Sequence, residues 1–418
     1  MCQFQGAAVT AIREDFMRDL KHLQYFENLL QMANNELITR AKQEGRICVA
    51  YVCENIPEPL MNLGNSFGIR LFAPNTGSTD IATYYMTNFL CEASRALLER
   101  AIEGGFNFAD CLIAPDGCTM INRCAENIEL LKAMGEGNER YFTEHMELPL
   151  KADDAGVELL VLQCKNHILA PLARNYGIDT SDAAIREAVR QHNKICHVIH
   201  EIGEYRKEAC PRITGYEFAV LTLATYVCPK DLILEKLEET LKEIRTREPD
   251  RKKYRARLLV VGSEMDDPEF IKLIEETGAY VCADRYCFGS LPGRDEIFLN
   301  EEEDALTQVC RHYVYRCQCP RQMNQEKVIG RKAYINELAK EYGADGIIYN
   351  QIKFCDPWAY ERVLGATILR EEYHYPVLSV DRPYNIRSSQ GQMRTRVQAF
   401  IESIEIKKIQ GGNDHGAD

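Results

Sequence analysis

Two stretches of this chain run through the same order of events. ADCLIAPDGC (109–118) and ADGIIYNQIKFC (344–355) each open on an Ala-Asp pair, continue as an apolar strand and end on a cysteine. Around the first lie RICVAYVC (46–53), GIRLFAP (68–74) and GVELLVLQC (156–164); around the second lie RLLVVGSEM (257–265), GAYVCAD (278–284) and YPVLSVD (375–381). Short apolar runs separated by helical stretches are the pattern of parallel strands covered on both faces by crossover helices. The chain is therefore expected to be α/β, with two parallel-sheet domains of one kind. At 418 residues it is also long for a single core.

The texture between these halves gives the expected boundaries. Residues 7–44 carry helical periodicity, so 1–45 reads as an N-terminal helical lead-in, 46–177 as the first α/β domain and 257–408 as the second. Residues 178–256 turn helical and charged and form a segment and linker between them, while 409–418 reads as a disordered tail. The basic run REPDRKKYRAR (247–257) reads as a solvated linker.

Charge and missing motifs exclude several function classes. With 50 Lys and Arg against 63 Asp and Glu, the net charge of −13 repels a phosphate backbone, which argues against nucleic acid. The first residues already include Arg13, Glu14 and Asp15, and no apolar run reaches membrane-spanning length, so the chain reads as cytoplasmic with no membrane partner. No G-x-x-x-x-G-K-[ST] is present, and VVGSEMDDP lacks the dinucleotide fingerprint after its strand. There is no G-x-S-x-G elbow, and His197 and His312 stand in helical contexts without a matching acid.

Seventeen cysteines are the anomaly. In a reducing compartment disulfides are not the natural explanation, and Cys164, Cys196, Cys210 and Cys228 read as ordinary packing thiols. Others occupy positions where ligands collect in open parallel sheets: Cys53, Cys118, Cys282 and Cys355 lie at or near strand carboxyl ends. Cys91 sits early in a helix, where partial positive charge favours a thiolate, and Cys124 follows Cys118 across C-T-M-I-N-R-C. Cys287, Cys317 and Cys319 form a second group. Thiolates converging from distant segments repel one another unless a metal ion or an iron–sulfur cluster holds them. The only tight pair is Cys317-x-Cys319, which disfavours a zinc ribbon; widely spaced single cysteines suit a cluster between domains, though they match no ferredoxin spacing.

KFCDPWAYE (353–361), then YPVLSVD and SSQGQMRTRVQAFIE (388–402), resemble the 2-hydroxyacyl-CoA dehydratase and benzoyl-CoA reductase superfamily. The likeness extends through Cys91, APDGC (114–118), VVGSEM and VCADRYCFG (281–289), and so covers most of the chain after about residue 46. It implies two flavodoxin-like domains with a [4Fe-4S] cluster in the cleft, held by Cys91, Cys118 and Cys355 with one iron open to substrate or water. It also implies a dimer that receives low-potential electrons from an ATP-hydrolysing iron–sulfur activator, which agrees with the missing phosphate loop.

The surplus of cysteines departs from the plain dehydratase pattern. Cys124, Cys287 and Cys319 would suffice for a second cubane, which resembles the double-cubane branch with its [8Fe-9S] centre and small-molecule substrates. Cys53, Cys111, Cys282 and Cys317 are alternatives for one of the three, and ordinary packing is the competing reading. Glu54 reads as a proton donor or a helix-start carboxylate, Arg394 and Arg396 as interdomain salt bridges rather than CoA-phosphate ligands, and Trp358 as a cover for the cluster. The leading expectation is a cytoplasmic homodimeric iron–sulfur reductase acting on a small molecule. Its alternatives are a single-cluster subunit of a heterodimeric 2-hydroxyacyl-CoA dehydratase or benzoyl-CoA reductase, and a non-enzymatic electron-transfer protein.

Overall fold

In the computed structural model, which describes residues 18–134 and 140–413, the two Ala-Asp pairs act alike. The Asp110 carboxylate accepts a hydrogen bond from the Cys48 amide at 2.7 Å, and the Asp345 carboxylate accepts one from the Arg257 amide at 2.8 Å. Each aspartate pins the start of a neighbouring strand. Cys111–Asp116 (β3) is thereby set beside Ile47–Tyr51 (β1), and Gly346–Ile352 (β7) beside Arg257–Gly262 (β5).

Ser66–Arg70 (β2) and Phe142–Glu147 (β4) complete the first sheet in the order β2-β1-β3-β4. Tyr280–Tyr286 (β6) and Val377–Arg382 (β8) complete the second as β6-β5-β7-β8. All pairings are parallel, so these are two flavodoxin-like domains with the same strand order. In each, the chain reverses its direction of travel across the sheet between the first strand and the third. That crevice, at the carboxyl ends of β1 and β3 or of β5 and β7, is where such folds bind ligands.

At the end of β5 the backbone needs a glycine. Gly262 has φ +148°, and a Cβ there would lie 1.8 Å from the Asn350 carbonyl of β7. The close approach lets Ser263 N donate to Asn350 O at 3.1 Å while the Ser263 hydroxyl accepts from Ile352 N at 2.7 Å. This lock sets the exits of both central strands of the second domain.

Between the domains stands Gly215–Val227, a helix opened by a capping box of Thr214 and Glu217. It is apolar on every side (FAVLTLATYV) and shares one hydrophobic core with β5, β6 and the helices Asp182–Glu204 and Lys230–Thr246. No helix among the described residues is long and apolar enough to cross a membrane.

Several sequence expectations change. GVELLVLQC is not a strand but lies in the helix Asp154–Cys164, capped by Asp153, with Val157, Leu160 and Cys164 turned into the core at helical spacing. The fourth strand is instead FTEHME, an edge strand whose polar residues hide it from an apolar search. Within the lead-in the described part is two short helices, Leu23–Leu29 and Glu36–Gln43, separated where Asn35 caps the second; residues 1–17 lie outside the described residues. The helix Gln390–Asn413 runs past 409, because IESIEIKKIQ continues its pattern, and 414–418 lie outside the described residues. The basic run is not wholly solvated: Arg247 is buried in an ion pair with Glu217 at 2.7 Å.

Candidate metal centre between the two sheets

Three of the expected cysteines stand at helix amino termini. Cys91 caps Glu92–Ile102, Cys118 precedes Thr119–Met134 and accepts from the amides of Ile121 and Asn122, and Cys355 caps Asp356–Glu371. Unpaired amides and the helix dipole make each of these ends electropositive, which favours a thiolate.

The domains are stitched together at this point. Glu92 N donates to Lys353 O at 3.4 Å, and the Glu92 carboxylate accepts from Tyr384 N at 2.7 Å. Cys91, Cys355, Ile352 and Met120 share a small apolar cluster, so residues from both sheets close around one another. The Cys91 thiol is held below its ordinary range, chiefly by a hydrogen bond from Cys355 and then by the amides of Ser94 and Ala93. The same contact and burial push Cys355 up. Burial raises Cys118 to about 12, with Cys91 and Cys319 adding to the rise. Phe89 and Phe354 meet edge to face at 6.2 Å across the outer side of this group.

A second group gathers around Cys319. Its charge is felt at Cys53, Cys287 and Cys317, and also at Cys118, which links the two groups. Cys319 N donates to Cys317 Sγ at 3.3 Å, and Cys317 Sγ donates to Asn55 Oδ1 at 3.0 Å. Cys53 follows β1 with φ 79°, and Phe354, just before Cys355, has φ 64°. Neither is a glycine, and a left-handed backbone there costs roughly 1 kcal/mol or more each. Both lie at strand exits that carry thiols; the other two non-glycine residues with positive φ among the described residues, Asn75 and His374, lie in loops away from them.

Charge around the second group comes from side chains. Arg70, at the end of β2, is buried; it donates to the Cys287 carbonyl at 2.5 Å and to Glu264 Oε1 at 3.2 Å. Arg285, near the end of β6, is also buried, lies 3.6 Å from Glu54 Oε1 and stacks over Trp358 at 5.0 Å. Glu54 Oε1 and both Arg285 Nη atoms lack hydrogen-bond partners. Burial pushes Glu264 up to about 7, against the pull of Arg70. Arg70, Arg285 and Glu264 escaped the sequence reading, although a lone charge at the end of an apolar strand is the signal that marks each arginine.

The remaining candidates separate. Cys124 is buried in the first domain's core with Ala96 and Ile128, close enough to Cys91 and Cys118 to feel their charge. Cys282 is not at a strand end: it lies within β6, and its thiol donates to Leu258 O at 3.5 Å inside the second core. Cys111 opens β3 at the opposite end from the cleft and packs in the first core. The two are brought to neither group. Trp358 is buried on Tyr349 beneath Cys355 and Cys287. Arg394 pairs with Glu276 at 2.5 Å and Arg396 donates to Ser379 O at 2.9 Å.

The donor set fits an iron–sulfur core better than a lone ion. Among the described residues no three His, Cys, Asp or Glu side chains surround a single-ion site. A cubane takes one thiolate per iron, so its cysteines must be spread around it rather than gathered at a point. Burial keeps these thiols protonated, with smaller contributions from one another, and a positive metal partner would be needed to hold them as thiolates together.

A family model described as 2-hydroxyglutaryl-CoA dehydratase, D-component, matches residues 49–404. The (R)-phenyllactyl-CoA dehydratase beta subunit of Clostridium sporogenes is 24% identical, covering 91% of this chain and 97% of its own length. The (R)-2-hydroxyglutaryl-CoA dehydratase beta subunit of Acidaminococcus fermentans is 22% identical over 95% of this chain and 100% of its own. A benzoyl-CoA reductase subunit from Thauera aromatica is 20% identical over 86% and 92%. The family match spans both sheets and both cysteine groups, and the chain belongs to the 2-hydroxyglutaryl-CoA dehydratase D-component family.

Proposed function

We propose that this chain is an iron–sulfur oxidoreductase that holds two cubanes in the cleft and passes low-potential electrons to a small molecule. The observation that supports this most is the gathering of two cysteine groups, joined through Cys118 and Cys319, where one group would serve one cubane. Cys91, Cys118 and Cys355 would hold the first cubane, and Cys287, Cys319 and Cys53 the second. Cys53 is favoured over Cys124 because it shares the Cys319 environment on a strained strand exit, whereas Cys124 is packed in the core. When bound, such a centre supplies one-electron reduction at low potential.

The chain's own groups supply the rest. Glu264, whose pKa burial pushes up to about 7, can both take up and release a proton near neutral pH beside Cys287, and Arg70 orients it. Glu54 presents a carboxylate oxygen that has no hydrogen-bond partner and faces Arg285 at 3.6 Å. Trp358, buried in one cluster with Cys355 and Cys287, keeps water from that side of the thiols. An ATP-hydrolysing iron–sulfur activator would deliver the electrons, since the chain has no phosphate loop of its own, and two copies of the chain would pair.

A second reading is favoured by the relatives, whose names are those of subunits of CoA-ester dehydratases and of a CoA-ester reductase. On it, the chain holds one cubane and serves a dehydratase or reductase complex. An anoxic spectroscopic redox titration separates the two: two resolved reductions per chain are expected, and a single one-electron step would favour the reading as part of such a complex.

A further inference from the structure

A cavity opens beside the second cysteine group and runs inward from Arg316 and Gln318 to Tyr51 and His192. Its wall carries polar atoms that have no hydrogen-bond partner: Tyr51 Oη and Gln318 Oε1, together with Glu54 Oε1 and His192 Nδ1, whose charged neighbours Arg285 and Glu58 stand off at 3.6 and 3.7 Å. Tyr51 and His192 are each only 2% exposed. Buried polar groups are nearly always satisfied, because an orphan forfeits its hydration without a replacement bond. Several orphans on one wall mark a place where a ligand completes the bonding.

The chemistry of the wall defines that ligand. Glu54 Oε1 and Gln318 Oε1 can only accept hydrogen bonds, while a tyrosine hydroxyl and a neutral imidazole can do either. Charge beneath the cavity is already balanced: Glu58 is gripped by Arg294 and by Lys230 at 2.5 Å, and Glu54 faces Arg285. An anion would meet the carboxylates of Glu54 and Glu58, and a cation would meet Arg294 and Lys230. His192 is kept neutral, because burial drives its pKa down to about 3, and its Nε2 is taken by Cys196 Sγ at 3.2 Å.

We infer that this cavity is a binding site for a compact neutral molecule that donates hydrogen bonds, held by Tyr51, Glu54, His192 and Gln318 next to Cys317. Its floor is thus built for uncharged ligands such as amides or amines in their neutral form. The site stands on these side chains alone and needs no cluster to be occupied.

Formamide is the probe, with N,N-dimethylformamide, which has no N–H to donate, as its control. Binding to the full-length protein is followed by ligand-observed NMR, with iron content recorded on the same sample so that loss of a cluster and loss of this site are read separately. Formamide should bind measurably tighter than the dimethyl compound. Tyr51→Phe, which removes one unpartnered hydroxyl and keeps the ring, should weaken it about five-fold, and Gln318→Met by a similar factor. The thermal midpoint gives a second readout that requires no probe. With the cavity filled by water or ligand, Tyr51→Phe leaves the midpoint unchanged or lowers it. Equal affinity for the two amides, unaltered binding in both variants, or a Tyr51→Phe midpoint that rises because an orphan hydroxyl has gone, would each overturn the inference.

Discussion

The two cysteine groups solve one electrostatic problem by different means. Cys91, Cys118 and Cys355 sit at helix amino termini, so the backbone itself supplies positive charge, and one thiol is already held below its ordinary range. Cys53, Cys287, Cys317 and Cys319 stand at no helix amino terminus, and only single backbone amides reach Cys53, Cys317 and Cys319. Cys317 even caps the carboxyl end of Ala305–Arg316, the wrong end of a dipole for a thiolate, and burial pushes it up to about 12. There the compensation comes from Arg70 and Arg285. Backbone dipoles are fixed by the fold, whereas an arginine is one substitution from absence, so the second group is the adjustable one.

Breaking the first group should have the largest effect. Cys355→Ala removes both a thiol and the hydrogen bond that lowers Cys91, and it sits on the seam between the domains. Iron per chain should fall by at least half, with loss of low-potential reduction by the group that remains. Retention of full iron in this variant would break the assignment of Cys355 to any cluster.

A middle-sized effect sharpens the contrast. Arg70→Met removes a positive charge beside Cys287, which disfavours the extra negative charge of a reduced centre. One of the two reduction steps should move to lower potential, on the order of tens of millivolts, while the other stays. Equal movement of both steps would show that the groups are not electrostatically separate.

The smallest effect concerns the wall behind the second group. Folded His192 has its pKa down at about 3 against an ordinary 6.5. Between those values the unfolded chain takes up a proton that the folded chain refuses, so stability is lost as pH falls through that window. His192→Gln should flatten the fall of the thermal midpoint between pH 6.5 and 5. Below about pH 4.5 a fall should persist in the variant, because Glu58, held well below the usual carboxylate range by Arg294 and Lys230 against the cost of its burial, loses its stabilising contribution there. An unaltered slope would mean His192 is not buried neutral.

What the sequence showed and hid follows from the same contrast. Strands buried on both faces announce themselves as apolar runs, and the Ala-Asp repeat was visible because one aspartate in each half does the same pinning. The edge strand FTEHME has no apolar run to show, and GVELLVLQC, apolar through its length, could be read as strand or helix until its packing was known. In the candidate site, Cys91 was expected early in a helix and Cys118 and Cys355 at strand ends, and the structure places all three at helix amino termini. Cys282 and Cys287 lie five residues apart, yet one is inside the β6 core and the other beyond the strand end, a distinction that depends on where the strand stops. Arg70, Arg285 and Glu264 act across the cleft, and nothing local in their segments says what they face.

The most direct test of the account is iron and acid-labile sulfide per chain, measured on protein purified without oxygen, for the wild type, Cys53→Ala and Cys124→Ala. The account predicts about eight irons in the wild type and in Cys124→Ala, falling toward about four in Cys53→Ala. About four irons in all three proteins would leave one cubane and a place in a CoA-ester enzyme complex, and zinc or no metal in the wild type would contradict the cluster itself.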